Sequence, residues 1–151
     1  MQKPARPAKR SGRADNLTPA QRSECMRRVK GRDTKPEMIV RRIVHGMGFR
    51  YRLHDARLPG RPDLVLPARG RVIFVHGCFW HLHRCPKGTM MPQARADYWL
   101  AKLSANQARD RAAIRKLRRS GWRVLVVWEC ELRNHARIKR RLRSFFTHPG
   151  K

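Results

Sequence analysis

Acidic residues are scarce in this 151-residue chain: 10 Asp and Glu stand against 37 Lys and Arg, a formal net charge of +27. With a sequence pI near 11.8, a monomer this basic repels itself and calls for a polyanionic partner. Long apolar runs are missing, as are a lipidation signal and a basic amphipathic helix of the kind that lies on a bilayer. Those absences exclude a membrane as the polyanion. The opening Met1-Gln-Lys-Pro-Ala-Arg-Pro7 is charged but has no apolar stretch, so it is read as no secretory signal. Cysteines number four, and in a chain that reads as cytosolic they are metal ligands or plain thiols before they are disulfides. Hydrophobic residues make up 40%, enough for one core at this length. Arginine outnumbers lysine, which suits planar bidentate contacts to phosphate or guanine. The composition describes a soluble, cytoplasmic, nucleic-acid-associated protein.

The expected organisation is a disordered basic arm over 1–16, one domain over 17–146 and a short tail over 147–151. Thr18-Pro-Ala-Gln21 predicts a helix start with Thr as N-cap, running to about Lys30. Thr34-Lys-Pro-Glu37 is a second capping box, opening a helix with Ile39, Ile43 and Met47 on one face and Gly48 at its end. Phe49-Arg-Tyr-Arg-Leu53 alternates like a half-exposed strand. A turn over Arg57–Asp63 leads to strand Leu64–Leu66, and Pro67–Gly70 turns back into an apolar strand, Val72–Val75. Ala94–Leu103 and then Ser104–Arg119 read as two helices. Trp122–Trp128 reads as a central buried strand reached by a parallel crossover. A final basic helix follows Glu131, with Leu132, Ile138, Leu142 and Phe145 as its apolar residues. The fold class is α/β, a mixed sheet flanked by helices.

The chemistry gathers where the Val72 strand ends, in Val75-His-Gly-Cys-Phe-Trp-His-Leu-His-Arg-Cys85. Cys78, His83 and Cys85, with Cys130 at the end of the Trp122 strand, make up a tetrahedral Cys3His set of the structural zinc type. The alternative is that Cys130 is an ordinary buried thiol. Asp63, after the rigid Pro-Gly-Arg-Pro turn, is either a one-oxygen Mg2+ ligand or a turn aspartate with local hydrogen bonds. Glu37 is explained by its capping box, and on spacing alone it is structural. His76 and His81 can take a proton near neutral pH; His76 is otherwise a satisfied strand-end histidine, and His81 a replacement for His83 as ligand. Phe79-Trp80 and Tyr98-Trp99 either wedge between bases or cover the metal loop. Lys102 and Asn106, four apart at an expected helix junction, are candidates to read base edges or phosphates.

Several segments together resemble the very short patch repair (Vsr) DNA mismatch endonucleases of bacteria. They are Met26-Arg27, Leu58-Pro-Gly-Arg-Pro-Asp63, Val72-Ile-Phe-Val-His-Gly-Cys-Phe-Trp-His81, Tyr98-Trp-Leu100, Arg109-Asp-Arg111 and Gly121-Trp-Arg-Val-Leu-Val-Val-Trp-Glu-Cys130. The resemblance covers roughly Leu17 to Arg133. It implies a restriction-endonuclease-like fold and nicking of the thymine strand at T·G mismatches left by deamination of 5-methylcytosine. Asp63 and the main-chain carbonyl of Val75 would hold Mg2+, and Glu37 would orient the water on that metal. His81 would be the base, with His76 assisting near the scissile phosphate. Cys78, His83, Cys85 and Cys130 would hold the structural Zn2+. Phe79, Trp80 and Trp99 would intercalate beside the mismatch, with Met26 entering from the other groove. The partners implied are double-stranded DNA and, functionally, a cytosine-5 DNA methyltransferase; a monomer suffices for one nick. The strand after Asp63 carries Phe74, Val75 and His76 where related nucleases have a second carboxylate and a lysine, so a carbonyl and imidazoles replace them.

Overall fold

The structure is a computed structural model that describes residues 17–148. The expected N-terminal arm and the last three residues of the expected tail lie outside them. Thr18 starts helix α1 (Pro19–Arg28) with a reciprocal capping box: its hydroxyl accepts from Gln21 N at 3.2 Å, and the Gln21 side chain accepts from Thr18 N at 2.9 Å. The helix buries no residue and ends at Arg28, short of the expected Lys30. Thr34 caps α2 (Lys35–Gly46), accepting from Glu37 N at 3.4 Å. The deepest residues of α2 are Val40 and Val44, fully buried, with Ile43 beside them. Ile39 and Met47 from the expected stripe are only partly covered.

Strands β1 (Arg52–Leu53), β2 (Leu64–Leu66), β3 (Arg71–His76) and β4 (Arg123–Trp128) form one sheet in the order β1-β2-β3-β4. The first two pairings are antiparallel, and β3 pairs β4 in parallel. Only two residues of the expected Phe49–Leu53 strand pair, because Phe49 and Tyr51 turn onto the core instead. The β2–β3 hairpin closes through a 3-10 turn, Pro67–Arg69, and Gly70 at φ +57°.

Between β3 and β4 runs one helix, α3 (Ala96–Arg119). The expected break at Ser104 does not exist, since a polar residue in mid-helix need not cap when its backbone is already paired along the helix. The parallel crossover itself is as expected. Strand β4 is terminal in the sheet and not central. Its continuous apolar run has a different cause: helices cover both faces. Val124 and Val126 pack with Val72, Phe74 and Leu117, while Leu125 and Val127 pack with α2 and the last helix. That last helix, α4 (His135–Thr147), is capped by Asn134, which accepts from Arg137 N at 2.9 Å. It buries Ile138, Leu142 and Phe146 at four-residue spacing. The expected Phe145 is only partly buried, and Leu132 sits in the preceding 3-10 turn, Glu129–Arg133. Thus α4 is the expected final basic helix, and its apolar face is spent on the core. No described helix is long and apolar enough to cross a membrane.

Candidate active site and metal centre

Parallel pairing brings the C-terminal ends of β3 and β4 together, with His76 opposite Trp128. Asp63 directly precedes β2, where a tight turn with Gly60 at φ +73° and Arg61 at φ +50° presents it. A side chain at Gly60 would have its Cβ 2.7 Å from that of Ala113 on α3, so glycine lets the turn seat against the helix. Asp63 Oδ2 accepts from Val75 N at 2.6 Å. Burial, offset in part by that N–H and reinforced by the Glu37 charge, pushes the Asp63 carboxyl up to about 6.

Glu37 is 2% exposed. Its backbone, not its carboxylate, serves the helix cap; the carboxylate accepts from Arg41 and lies 2.9 Å from His54 Nε2. The capping explanation of the side chain is therefore replaced. A carboxylate this buried needs a charged partner, and Arg41, one helical turn on, supplies it while also pairing with Asp33 at 2.7 Å. His54 Nδ1 points to Asp63 Oδ1 at 3.8 Å, so one imidazole stands between the two acids. Sequence reasoning missed both Arg41 and His54; the four-residue spacing of Glu37 and Arg41 was the available signal.

Next to Asp63, the imidazoles of His76 and His81 stack at 3.8 Å with planes 3° apart. His81 Nδ1 is hydrogen-bonded to Asp110 Oδ2 of α3, which leaves Nε2 as its proton acceptor. Asp110 was also missed, although it lies in the Arg109-Asp-Arg111 segment. Burial, then the charge of His81, hold His76 down to about 4, with Asp110 opposing. A cleft of about 550 Å3 exposes Glu37, Asp63, Val75, His81, Trp80 and Asn106 to a common space. An adjoining one of about 280 Å3 contains His54, Asp63, His76, His81 and Asp110.

Two residues past the strand ends, Cys78 and Cys130 meet His83 and Cys85, with one ligand atom from each within 4.8 Å of the others. Cys130 is thus no isolated thiol. Cys130 Sγ lies 3.5 Å from His83 Nδ1, near the roughly 3.8 Å edge of a tetrahedron with bonds of about 2.3 Å. Burial pushes the Cys78 thiol up to about 12, and burial also opposes ionisation of Cys85, which the Gly88 N–H, His83 and Cys78 outweigh to bring it to about 6. Three thiols this close cannot all ionise without a cation among them, and the donor set fits a tetrahedral ion. Two contacts shape the loop: His83 stacks on Trp128 at 4.2 Å, and a Cβ at Gly88 would fall 1.9 Å from the His83 carbonyl oxygen.

Phe79, Trp80 and Trp99 form one aromatic cluster with centroids 5.1 to 6.2 Å apart. Trp99 is its buried base, 7% exposed, whereas Tyr98 and Leu100 beside it are exposed. Asn106 donates to the Trp80 carbonyl at 3.2 Å, tying the loop to α3. Lys102 lies one turn earlier on the same uninterrupted helix, 5.9 Å from the Tyr98 and Trp99 rings. Met26 is half-buried on α1, and Val29 and Lys30, which directly follow that helix, border the cleft.

Residues 14–87 match the family described as DNA mismatch endonuclease Vsr. The chain is 48% identical over 130 residues to the type II nicking enzyme V.XorIIP of Xanthomonas oryzae pv. oryzae, covering 86% of this chain and 95% of that one. It is 45% identical over 125 residues to the DNA mismatch endonuclease Vsr of Escherichia coli, covering 83% and 80%. In fold it is similar to the catalytic domain of the homing endonuclease I-Bth0305I, with TM-score 0.50, 21% identity, and coverage of 75% and 94%. With identity at this level over more than four fifths of its length, the chain belongs to the Vsr family of DNA mismatch endonucleases.

Proposed function

We propose that this endonuclease nicks DNA 5′ of the thymine in T·G mismatches that arise from 5-methylcytosine deamination, with Mg2+, and so initiates very short patch repair. The observation that carries this is the convergence of Asp63, Val75, Glu37 and the His81–Asp110 pair on one cleft beside an aromatic cluster. Asp63 spends Oδ2 on Val75 N and keeps Oδ1, which with the Val75 carbonyl makes a hard-oxygen donor set of the kind Mg2+ takes. Bound there, Mg2+ would offset charge on the scissile phosphate and acidify a water.

The chain's own groups do the rest. His81 Nε2 takes the proton of the attacking water, and Asp110 fixes the tautomer and stabilises the imidazolium that results. His76 stays neutral at pH 7 and assists at the phosphate by hydrogen bonding. Glu37, held by Arg41 and His54, orients the water. In-line attack at phosphorus breaks the bond to O3′ and leaves a 5′-phosphate and a 3′-hydroxyl. Cys78, His83, Cys85 and Cys130 hold a structural Zn2+ that fixes the loop, and take no part in the chemistry. Phe79 and Trp80, with Trp99 at their base, wedge beside the mispair, where unstacking costs least. Met26 approaches from the other groove, while Lys102 and Asn106 line the recognition side. The catalytic domain is residues 17–146. We further propose that the enzyme acts as a monomer at the nucleoid in the bacterial cytoplasm, alongside a cytosine-5 methyltransferase.

The test is a T·G duplex in varied flanking contexts, incubated with Mg2+ or with chelator. Nicking that needs Mg2+ and the mismatch, and that Asp63→Ala abolishes, is the expected result. Equal cleavage of perfectly paired duplex would instead favour an ordinary nicking enzyme, as the name of the Xanthomonas relative suggests.

A further inference from the structure

Arg71 and Arg123 occupy the same register position at the start of the parallel β3–β4 pair, at the opposite end of the strands from the cleft. Like charges side by side in a sheet repel. Here the fold draws them together: Arg71 Nη2 donates to the His148 carbonyl at 2.7 Å, and Arg123 Nη1 donates to the same oxygen. Both guanidinium carbons lie 5.7 Å from the centroid of the Phe145 ring. Arg71 is 8% exposed, and its Nε is buried with no hydrogen-bond partner.

No carboxylate among the described residues pairs with Arg69, Arg71, Arg118 or Arg123. Arg41, the other buried arginine, has both Asp33 and Glu37. The two environments act in opposite directions. Burial opposes the charge on each, but the acids raise the pKa of Arg41, whereas Arg123 and Arg69 lower that of Arg71 further. Capping of α4 explains part of the arrangement, since His148 is its C-cap. A helix C-terminus offers only about half a negative charge, so more than one positive charge stays unmatched. From Arg123 and Phe145 a groove of about 420 Å3 opens past Arg118, Gly121 and Trp122.

We propose that Arg123 and Arg118, which line the groove, with Arg71 buried beside Arg123, form a binding site for a phosphate-type oxyanion, separate from the cleavage cleft. Paired planar guanidinium forks match the oxygens of such an anion. The strand places the site about 16 Å from His76, at about 3.3 Å per residue, so the phosphate held there is not the scissile one. Free phosphate and a DNA backbone phosphate remote from the mismatch share this chemistry.

The experiment titrates inorganic phosphate against chloride at matched ionic strength, on the full chain, following melting temperature and binding heat. Phosphate is expected to raise the melting temperature by several degrees more than chloride and to bind at one site. Arg123→Gln should weaken that binding at least tenfold, and the exposed Arg118→Gln at least threefold. Arg140→Gln, on the exposed face of α4, removes the same charge and should leave it within twofold. Phosphate performing no better than chloride would overturn the proposal, as would an Arg140→Gln loss equal to that of Arg123→Gln. Salt dependence of duplex binding then identifies the source. A slope reduced by about 1 in Arg123→Gln assigns a DNA phosphate, and an unchanged slope with lost phosphate binding assigns the free anion.

Discussion

His76 and His81 lie ring on ring, 3.8 Å between centroids, so a proton on one is disfavoured by a proton on the other. Burial already holds His76 down to about 4 from 6.5. In the proposed mechanism the stack thus divides the labour: His76 stays neutral while His81, backed by Asp110, would handle the proton. A pKa lowered on folding contributes stability that is present above 6.5 and lost as pH falls toward 4. For a side chain this buried the loss is about 3 kcal/mol. His76→Gln should accordingly show a shallower loss of melting temperature between pH 6.5 and 4 than the wild type. Parallel acid profiles would refute the assignment.

In the proposed mechanism Asp110 acts through His81. His81→Ala should slow single-turnover nicking by roughly 10²- to 10⁴-fold. Asp110→Asn should slow it by roughly 10²-fold with little change in DNA affinity, since Asn cannot stabilise the imidazolium. An Asp110→Asn enzyme nicking at the wild-type rate would remove Asp110 from the mechanism.

Asp63 carries a cost that the proposed cation would relieve. Its carboxyl is raised to about 6 from 3.8, so its contribution to stability is full below about 3.8 and lost as pH rises through 6. At pH 7 without divalent metal, the ionised group costs about 3 kcal/mol. Asp63→Asn, measured in chelator, should melt higher than wild type at pH 7, converge with it below pH 4, and be inactive. A variant melting below wild type at pH 7 would contradict this.

The thiol cluster should hold one ion per chain. Cys130→Ser is expected to weaken metal affinity more than 10²-fold, at least about 2.7 kcal/mol, and to lower the melting temperature. Full metal content with unchanged melting would eliminate Cys130 as a ligand.

Trp80→Ala removes one face of the aromatic cluster. A stacking loss of about 1–3 kcal/mol should appear as about 5- to 150-fold lower kcat/KM on a T·G duplex, with melting nearly unchanged. Equal loss on matched duplex in a binding assay would show that Trp80 contributes adhesion and not mismatch selection.

Local rules were legible in the chain itself. Thr18 and Thr34 cap their helices because capping needs only residues three positions away. The apolar run Val72–Val75 announces β3, and the long helix before Trp122 announces a parallel crossover, which in turn brings Cys78 to Cys130. Long-range approach decided the rest. Glu37 reads as a cap until His54 and Arg41 close on it, and His81 has no visible partner until α3 delivers Asp110, 29 residues away. The run Trp122–Trp128 reads as central because composition reports how many faces are covered, not how many strands flank it. Charge shows the same division. The excess of arginine is visible in the sequence, but only the register that sets Arg71 beside Arg123 turns two scattered charges into one uncompensated pair.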